Sequence, residues 1–178
     1  MGVQFSGIPK RIALAGAIGA AFAAAVPAHA ATRSATGRAT VVTPISLVNT
    51  APLSFGALGS SATAGTVTVS TGGARTTAGG VTPLNGTVSA AGFTGMTGTT
   101  GIPFLIVISN PPASVTLTRV GGGATMTVNT MQVSGGSGLR LVAANSLFSF
   151  TVGGTLHVGA NQAQGTYNGT FNMTVNYF

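Results

Sequence analysis

Beyond residue 30, glycine clusters divide the chain into short runs in which apolar and polar residues alternate. Alternation with a period of two is typical of strands with one buried face, whereas an amphipathic helix repeats its apolar residues every three or four positions. With 28 Gly and 8 Pro among 178 residues, the chain stays below the level typical of disordered low-complexity sequences. The pattern therefore predicts a folded, antiparallel all-β domain, either a sandwich or a barrel.

Nine runs carry the strand pattern. The predicted strands are residues 40–48, 66–70, 87–91, 104–109, 115–120, 125–133, 147–152, 155–158 and 166–177. The predicted breaks between them are residues 71–73, 78–80, 110–112, 121–123, 134–138 and 153–154. The run 104–108 is apolar throughout, which predicts a strand buried on both faces.

One strand changes phase along its length. Met126 and Val128 share one alternation phase, whereas Met131 and Val133 share the opposite one. A single strand can bury both pairs only if it contains one extra residue, because a shift of one position turns every side chain to the other face. The sequence therefore predicts either a β-bulge or a bend from one sheet into the other near Asn129 and Thr130.

The chain contains no Asp, no Glu and no Cys. Carboxylate acid–base catalysis, Ser-His-Asp triads and paired-acid glycosidase sites are therefore excluded. Zinc, calcium and magnesium sites lack their usual ligands, so no metal or other cofactor is expected. His157 alternates with apolar neighbours and has no acid to orient it, which indicates a surface residue. We expect a non-enzymatic protein.

The positive charge is dispersed along the chain. Two of the seven cationic side chains, Lys10 and Arg11, lie in the N-terminal region discussed next, which leaves five single arginines. A nucleic-acid-binding protein concentrates its cations on one face or stripe in order to displace counterions. The dispersed arginines favour solubilising charges over a nucleic-acid partner.

The N-terminus has the three parts of a secretory signal peptide. Lys10 and Arg11 precede an apolar run over residues 12–26, which is followed by the Ala-x-Ala pattern at residues 28–30. The run is shorter than the roughly 20 residues that a membrane-spanning helix needs. We therefore expect a signal peptide at 1–30 and no transmembrane span in the mature chain. The remainder divides into an N-terminal extension, 31–42, and a β-sandwich domain, 43–178.

The C-terminal run, residues 166–177, has the longest regular alternation. One row is largely apolar, and the other consists of Thr and Asn. This pattern predicts a long strand with one inward and one outward face, and its free edge invites pairing with another chain. The candidate partner-binding residues are Gly165 and the row Tyr167, Phe171, Met173, Val175 and Tyr177.

This segment resembles the C-terminal strand of chaperone–usher pilins, because Gly165 is the fourteenth residue from the end and Tyr177 is the penultimate one. Residues 152–171, together with 41–47, 53–56 and 121–128, are more closely similar to an uncharacterised secreted family, domain of unknown function 4402. The chain also resembles spore-coat-protein-U-type subunits of archaic chaperone–usher pili. Those subunits usually carry cysteines, which this chain lacks.

The resemblance implies an immunoglobulin-like or pilin-like sandwich that lacks its last strand. In such pilins a periplasmic chaperone and then the N-terminal extension of the next subunit supply that strand, by addition to a sheet edge. The candidate donor residues here are Ala35, Gly37, Ala39 and Val41. The expected function is a structural subunit of a cell-surface fibre, exported through the periplasm, with like subunits and a chaperone as partners.

Two alternatives remain open. Residues 35–48 can instead be the first strand of a complete sandwich, in which case the protein is a monomeric secreted or surface-attached binding module. An outer-membrane β-barrel is less favoured, because the terminal apolar row is out of phase with Phe178 and the 11 aromatic residues are few for two membrane girdles.

We predict that the mature protein begins at Ala31, because the Ala-x-Ala pattern directly follows the apolar run. N-terminal sequencing of the protein recovered from the periplasm or the medium checks this. Recovery of a chain that begins at Met1 would contradict the prediction of export.

Overall fold

A computed structural model describes residues 33–39, 41, 44–98 and 103–177. The predicted signal peptide lies outside the described residues. Among those residues there is no helix, and hence none with the length and hydropathy of a membrane span. The strands, numbered in chain order, are β1 (Ser46–Ala51), β2 (Ser54–Phe55), β3 (Leu58–Val69), β4 (Arg75–Pro83), β5 (Val88–Ser89), β6 (Ala91–Met96), β7 (Phe104–Ile108), β8 (Ser114–Arg119), β9 (Thr125–Val133), β10 (Gly138–Val142), β11 (Leu147–Val158), β12 (Tyr167–Asn168) and β13 (Val175–Tyr177).

The strands form three antiparallel sheets. The largest contains eight strands in the order β1-β6-β11-β9-β8-β12, with β3 also paired to β11 and β4 paired to β3. A three-stranded sheet has the order β10-β7-β13, and β2 pairs with β5. Side chains of the large sheet and of β7 meet in one apolar core cluster, so the two sheets pack face to face. The predicted all-β sandwich is confirmed.

Strand β11 lies at the centre of the large sheet. Its first half pairs with β6, its second half pairs with β3, and β9 pairs with residues 152–157. The sequence predicted two strands interrupted at Gly153, and that interpretation is wrong because β11 is continuous. Gly153 is required for close approach: a Cβ there would collide with the main-chain carbonyl oxygen of Val69 in β3.

In β4, too, glycines that were interpreted as a break lie inside a strand, and the sequence pattern did not predict this strand. Residues 78–80, read as a break, lie inside this strand. The pairing of β3 with β4 shifts register between Ser60 and Gly65, and a Cβ at Gly80 would collide with the carbonyl oxygen of Thr63. These glycines therefore permit an irregular close pairing instead of ending the strand.

Other boundaries also differ from the predictions. Among the described residues β1 begins at Ser46, later than the predicted start at residue 40, and β10 was not predicted. The run 166–177 is not one strand but two short ones, β12 and β13, joined by a stretch without ladder pairing. The bulge predicted in β9 is confirmed: Thr130 has a φ of 48°, and the pairing of β9 with β11 shifts register opposite it.

The core has two apolar clusters. One lies beneath β3, β4, β8 and the second half of β11, where Val67, Val128 and Leu156 are buried. The other lies between the large sheet and β7, where Phe150, Val152 and Ile106 are buried. Half-buried side chains from the terminal run 166–177 contact both clusters.

The prediction that β7 is buried on both faces is wrong for one face. Ile106 and Ile108 are buried against the large sheet. Leu105 and Val107 alternate with them and are only half-buried, because the opposite face of the three-stranded sheet has little cover. The apolar run in β7 therefore reflects one core face and one partly open face.

The arginines of the sandwich bind main-chain carbonyl groups. The Arg75 guanidinium donates to the carbonyl oxygens of Phe55 and Leu84 at 3.0 and 2.9 Å. Arg140 donates to the carbonyl of Ser134 at 2.6 Å, and Arg119 donates to that of Gln164 at 3.3 Å. In a chain without carboxylate side chains, carbonyl oxygens take the place of ion-pair partners and these cations join loops to strands.

The folded state should be insensitive to acid. In most proteins, carboxylates with lowered pKa values stabilise the fold at neutral pH, and this contribution disappears as the pH falls through those pKa values. This chain has no Asp or Glu. We predict that the free energy of unfolding of the mature protein changes by less than about 1 kcal/mol between pH 5 and pH 2.5, the range in which carboxylates titrate. Urea titrations monitored by circular dichroism check this, and a steep loss of stability over that range would contradict it.

Candidate functional site

The C-terminal residues 166–177, called here the terminal segment, connect the two sheets of the sandwich. Its start pairs with β8, placing Tyr167 opposite Arg119, and its end pairs with β7, placing Val175 opposite Ile108. Just before β13, the carbonyl of Thr174 accepts a hydrogen bond from the Ser109 amide at 2.9 Å. The Thr174 amide donates to the Ser109 hydroxyl at 3.0 Å. The terminal segment is therefore fixed at both ends and crosses from one sheet to the other.

The side chains of the terminal segment follow the alternation predicted from the sequence. Phe171, Met173 and Val175 are half-buried and pack against the core cluster between the sheets. The intervening polar residues are all exposed, namely Asn168, Thr170, Asn172, Thr174 and Asn176. Tyr177 belongs to the inward row by phase but is 39% exposed. The predicted inward orientation is therefore confirmed for Phe171, Met173 and Val175.

Phe171 occupies the junction of the two core clusters. It packs against both, and its ring meets that of Phe93 edge to face with the centroids 6.2 Å apart. Phe93 in turn stacks on the buried Phe150, with a centroid distance of 5.1 Å and an angle of 14° between the planes. Three aromatic rings therefore fill the core beside the terminal segment.

Gly165 and Tyr167 have a structural role that the sequence interpretation missed. The Tyr167 hydroxyl donates to the carbonyl oxygen of Ala163, four residues earlier, at 2.7 Å and accepts from the Gln162 amide at 2.8 Å. A tyrosine that bonds back to upstream backbone in this way is the tyrosine corner of immunoglobulin-like sandwiches. Gly165 has a φ of 148°, and a Cβ there would lie 2.9 Å from Arg119 side-chain atoms. The Gly-x-Tyr spacing of residues 165–167 is the sequence feature that could have indicated this arrangement.

Two main-chain edges beside this part of the core lack a ladder partner on one side among the described residues. Between Asn168 and Val175, no described strand pairs with the terminal segment. Of the strands that the structure describes, only β6 pairs with β1, and Leu47 of β1 contacts the same core cluster as Phe171 and Met173. We call these two edges, β1 and residues 169–175, the seam. Thr174 bonds to Ser109 and Val175 pairs with β7 on one side; the other main-chain groups on these edges have no ladder partner among the described residues and can accept an extended strand.

The predicted donor residues lie in a stretch without regular secondary structure. Residues 33–39 and Val41 are exposed, and Val41 is 93% exposed. An ideal Cβ on Gly37 would have no atom within 4 Å. Thr40, Val42 and Thr43 lie outside the described residues. Ala35, Gly37, Ala39 and Val41 are thus all exposed in the single chain.

In the part of the chain that the structure describes, the remaining polar groups form no metal-binding cluster. His157 is exposed, as predicted, and its Nε2 lies 2.8 Å from the Asn129 side-chain oxygen. Among the described residues, no three His, Cys, Asp or Glu side chains are grouped to hold a metal ion. The arginines of the sandwich are engaged with carbonyl groups. The chemistry that this surface offers is main-chain pairing and apolar contact.

The antiparallel sheets and the two-cluster core define an all-β sandwich, which shares the tyrosine corner with immunoglobulin-like sandwiches. The profile of one protein family, described as Domain of unknown function (DUF4402), matches residues 45–177. The match covers about three-quarters of the chain, which therefore belongs to this family. No curated protein and no solved structure matches the chain.

The inward row of the terminal segment should contribute strongly to stability. We predict that Phe171→Ala lowers the free energy of unfolding by about 3 kcal/mol, the lower end for a Phe truncation because the ring is half-buried. Asn172→Ala, at the adjacent exposed position, should change it by less than about 0.5 kcal/mol. Urea unfolding of both variants measures the difference. Equal effects would show that Phe171 does not pack as described.

Proposed function

We propose that the protein is an exported, non-enzymatic structural subunit of a cell-surface fibre, and that its subunits join by exchange of β-strands. The observation that carries this proposal is the seam. Its two edges have unpaired main-chain groups beside half-buried apolar side chains, which an added strand would pair and cover. Strand addition to a sheet edge gives affinity through main-chain hydrogen bonds and specificity through alternate side chains.

The N-terminal extension supplies a strand of suitable length and pattern. Residues 35–41 alternate small apolar with polar side chains, and they are exposed in the single chain where they are described. Seven residues in extended conformation span roughly 23 Å, and the stretch 169–175 of the seam also has seven residues. In the fibre, the extension of one subunit occupies the seam of the next.

Composition supports a role without catalysis. A chain with no Asp, Glu or Cys has none of the side chains on which most hydrolytic and metal-dependent chemistry depends. A fibre subunit needs only complementary surfaces. The partners in this proposal are like subunits and, in transit through the periplasm, a chaperone that covers the seam until assembly.

A charge on the inward row of the donor strand should block assembly. We predict that Ala39→Asp leaves the mature protein monomeric, because burying a carboxylate in an apolar core is costly. Thr36→Asp is the matched control: its side chain has the opposite phase, so this variant should still assemble. Size-exclusion chromatography with light scattering and electron microscopy of wild type and both variants measure assembly.

One result would overturn the fibre and favour the monomeric binding module. In that case the wild type stays monomeric at high concentration, unfolds cooperatively, and loses stability when residues 31–42 are deleted. The extension would then pair within its own chain. Assembly of the wild type that is abolished by Ala39→Asp but kept by Thr36→Asp supports strand exchange.

A further inference from the structure

The side chains that an incoming strand would meet at the seam are large. Phe171 and Met173 form the inward row of the terminal segment, and the ring of Phe171 abuts that of Phe93. Inward side chains of an added strand would be direct cross-strand neighbours of this row, with Cβ atoms roughly 4.5–5.5 Å apart. Behind them, Phe150 is fully buried and stacks on Phe93 with the ring centroids 5.1 Å apart.

The inward row of the donor segment is correspondingly small. Ala35, Gly37 and Ala39 together contribute only two side-chain carbon atoms, and Val41 is the one branched residue of the row. Small residues let a strand backbone approach a neighbouring surface closely. Large residues on one side of the contact thus match small residues on the other, over the same seven-residue length.

We infer that the seam selects its donor strand by small size, so that its occupant is residues 35–41 of a second copy and strands with bulky apolar residues at the same positions are excluded. This inference rests on the proposed function. The aromatic rings of the acceptor fill the volume that donor side chains would otherwise take. Affinity comes from main-chain pairing along residues 169–175, and specificity comes from steric exclusion.

The exclusion predicts an effect opposite in sign to that of ordinary hydrophobic contact. If the donor row filled empty pockets, a larger apolar side chain would bury more surface and strengthen assembly. If the rings already fill the space, the same substitution overpacks the contact and weakens assembly. Enlarging the donor side chains and shrinking the acceptor side chains therefore distinguishes the filling of empty pockets from steric exclusion.

The experiment uses the mature chain in which each subunit supplies both donor and acceptor. Ala35→Leu, Gly37→Leu and Ala39→Leu are made singly, and each is combined with Phe171→Leu. Thr36→Leu, on the opposite phase, is the matched control. The critical concentration for assembly is measured by sedimentation and light scattering, and cooperative urea unfolding verifies that each variant folds. If Phe171→Leu does not fold, Phe93→Leu takes its place.

We expect the inward leucine variants to raise the critical concentration about 10- to 100-fold, the penalty of overpacking expressed as an equilibrium ratio. Thr36→Leu should leave it unchanged. At least one leucine variant should recover by about tenfold or more when combined with Phe171→Leu, because the smaller acceptor side chain makes room.

The outcomes separate the inference from the function on which it rests. Failure of the wild type to assemble overturns the proposed function itself. A wild type that assembles, with inward leucine variants that assemble equally well or better, overturns size selection and leaves strand exchange standing. Size selection is also overturned if the leucine variants assemble poorly and Phe171→Leu rescues none of them. In that case the Phe171 ring would not be the group that excludes the larger donor side chains.

Discussion

Main-chain pairing along β11 is the interaction on which the sandwich depends. This strand pairs with β6, β3 and β9 and contributes Phe150, Val152 and Leu156 to the core. The chain has neither disulfides nor carboxylates, so no covalent bridge or acid–base ion pair between side chains assists it. At Gly153 the main chain of β3 approaches so closely that a Cβ would collide with the carbonyl oxygen of Val69.

The same reliance on main-chain pairing explains why the seam matters. The terminal segment is anchored by β12 at one end and β13 at the other. Its middle contributes Phe171 and Met173 to the core, and no strand within the described ranges pairs with its outer edge. This fold is stabilised mainly by hydrogen bonds between strands and by burial of apolar side chains. Both contributions are missing where strand pairing stops beside half-buried side chains. Strand exchange between subunits would complete both contributions together.

The structural features that depend on period-two alternation could be predicted from the sequence. The sandwich class, the inward phase of Phe171 and Met173, and the bulge at Thr130 all follow from which residues share a face. It failed where glycine is ambiguous: Gly80 and Gly153 read as breaks but permit close pairing inside strands, because their role depends on a neighbouring strand that local sequence does not reveal. The tyrosine corner at Tyr167 needed the position of the Ala163 carbonyl, which only the folded chain provides.

Hydrogen–deuterium exchange on the terminal segment tests the central claim most directly. The exchange of amides 169–173 is compared between assembled wild-type protein and the Ala39→Asp variant as the monomer. The account predicts slowing of these amides by at least about tenfold on assembly, while the amides of β11 are protected in both states. Amides 169–173 that are already protected in the monomer, or that remain equally fast in the assembly, would contradict it.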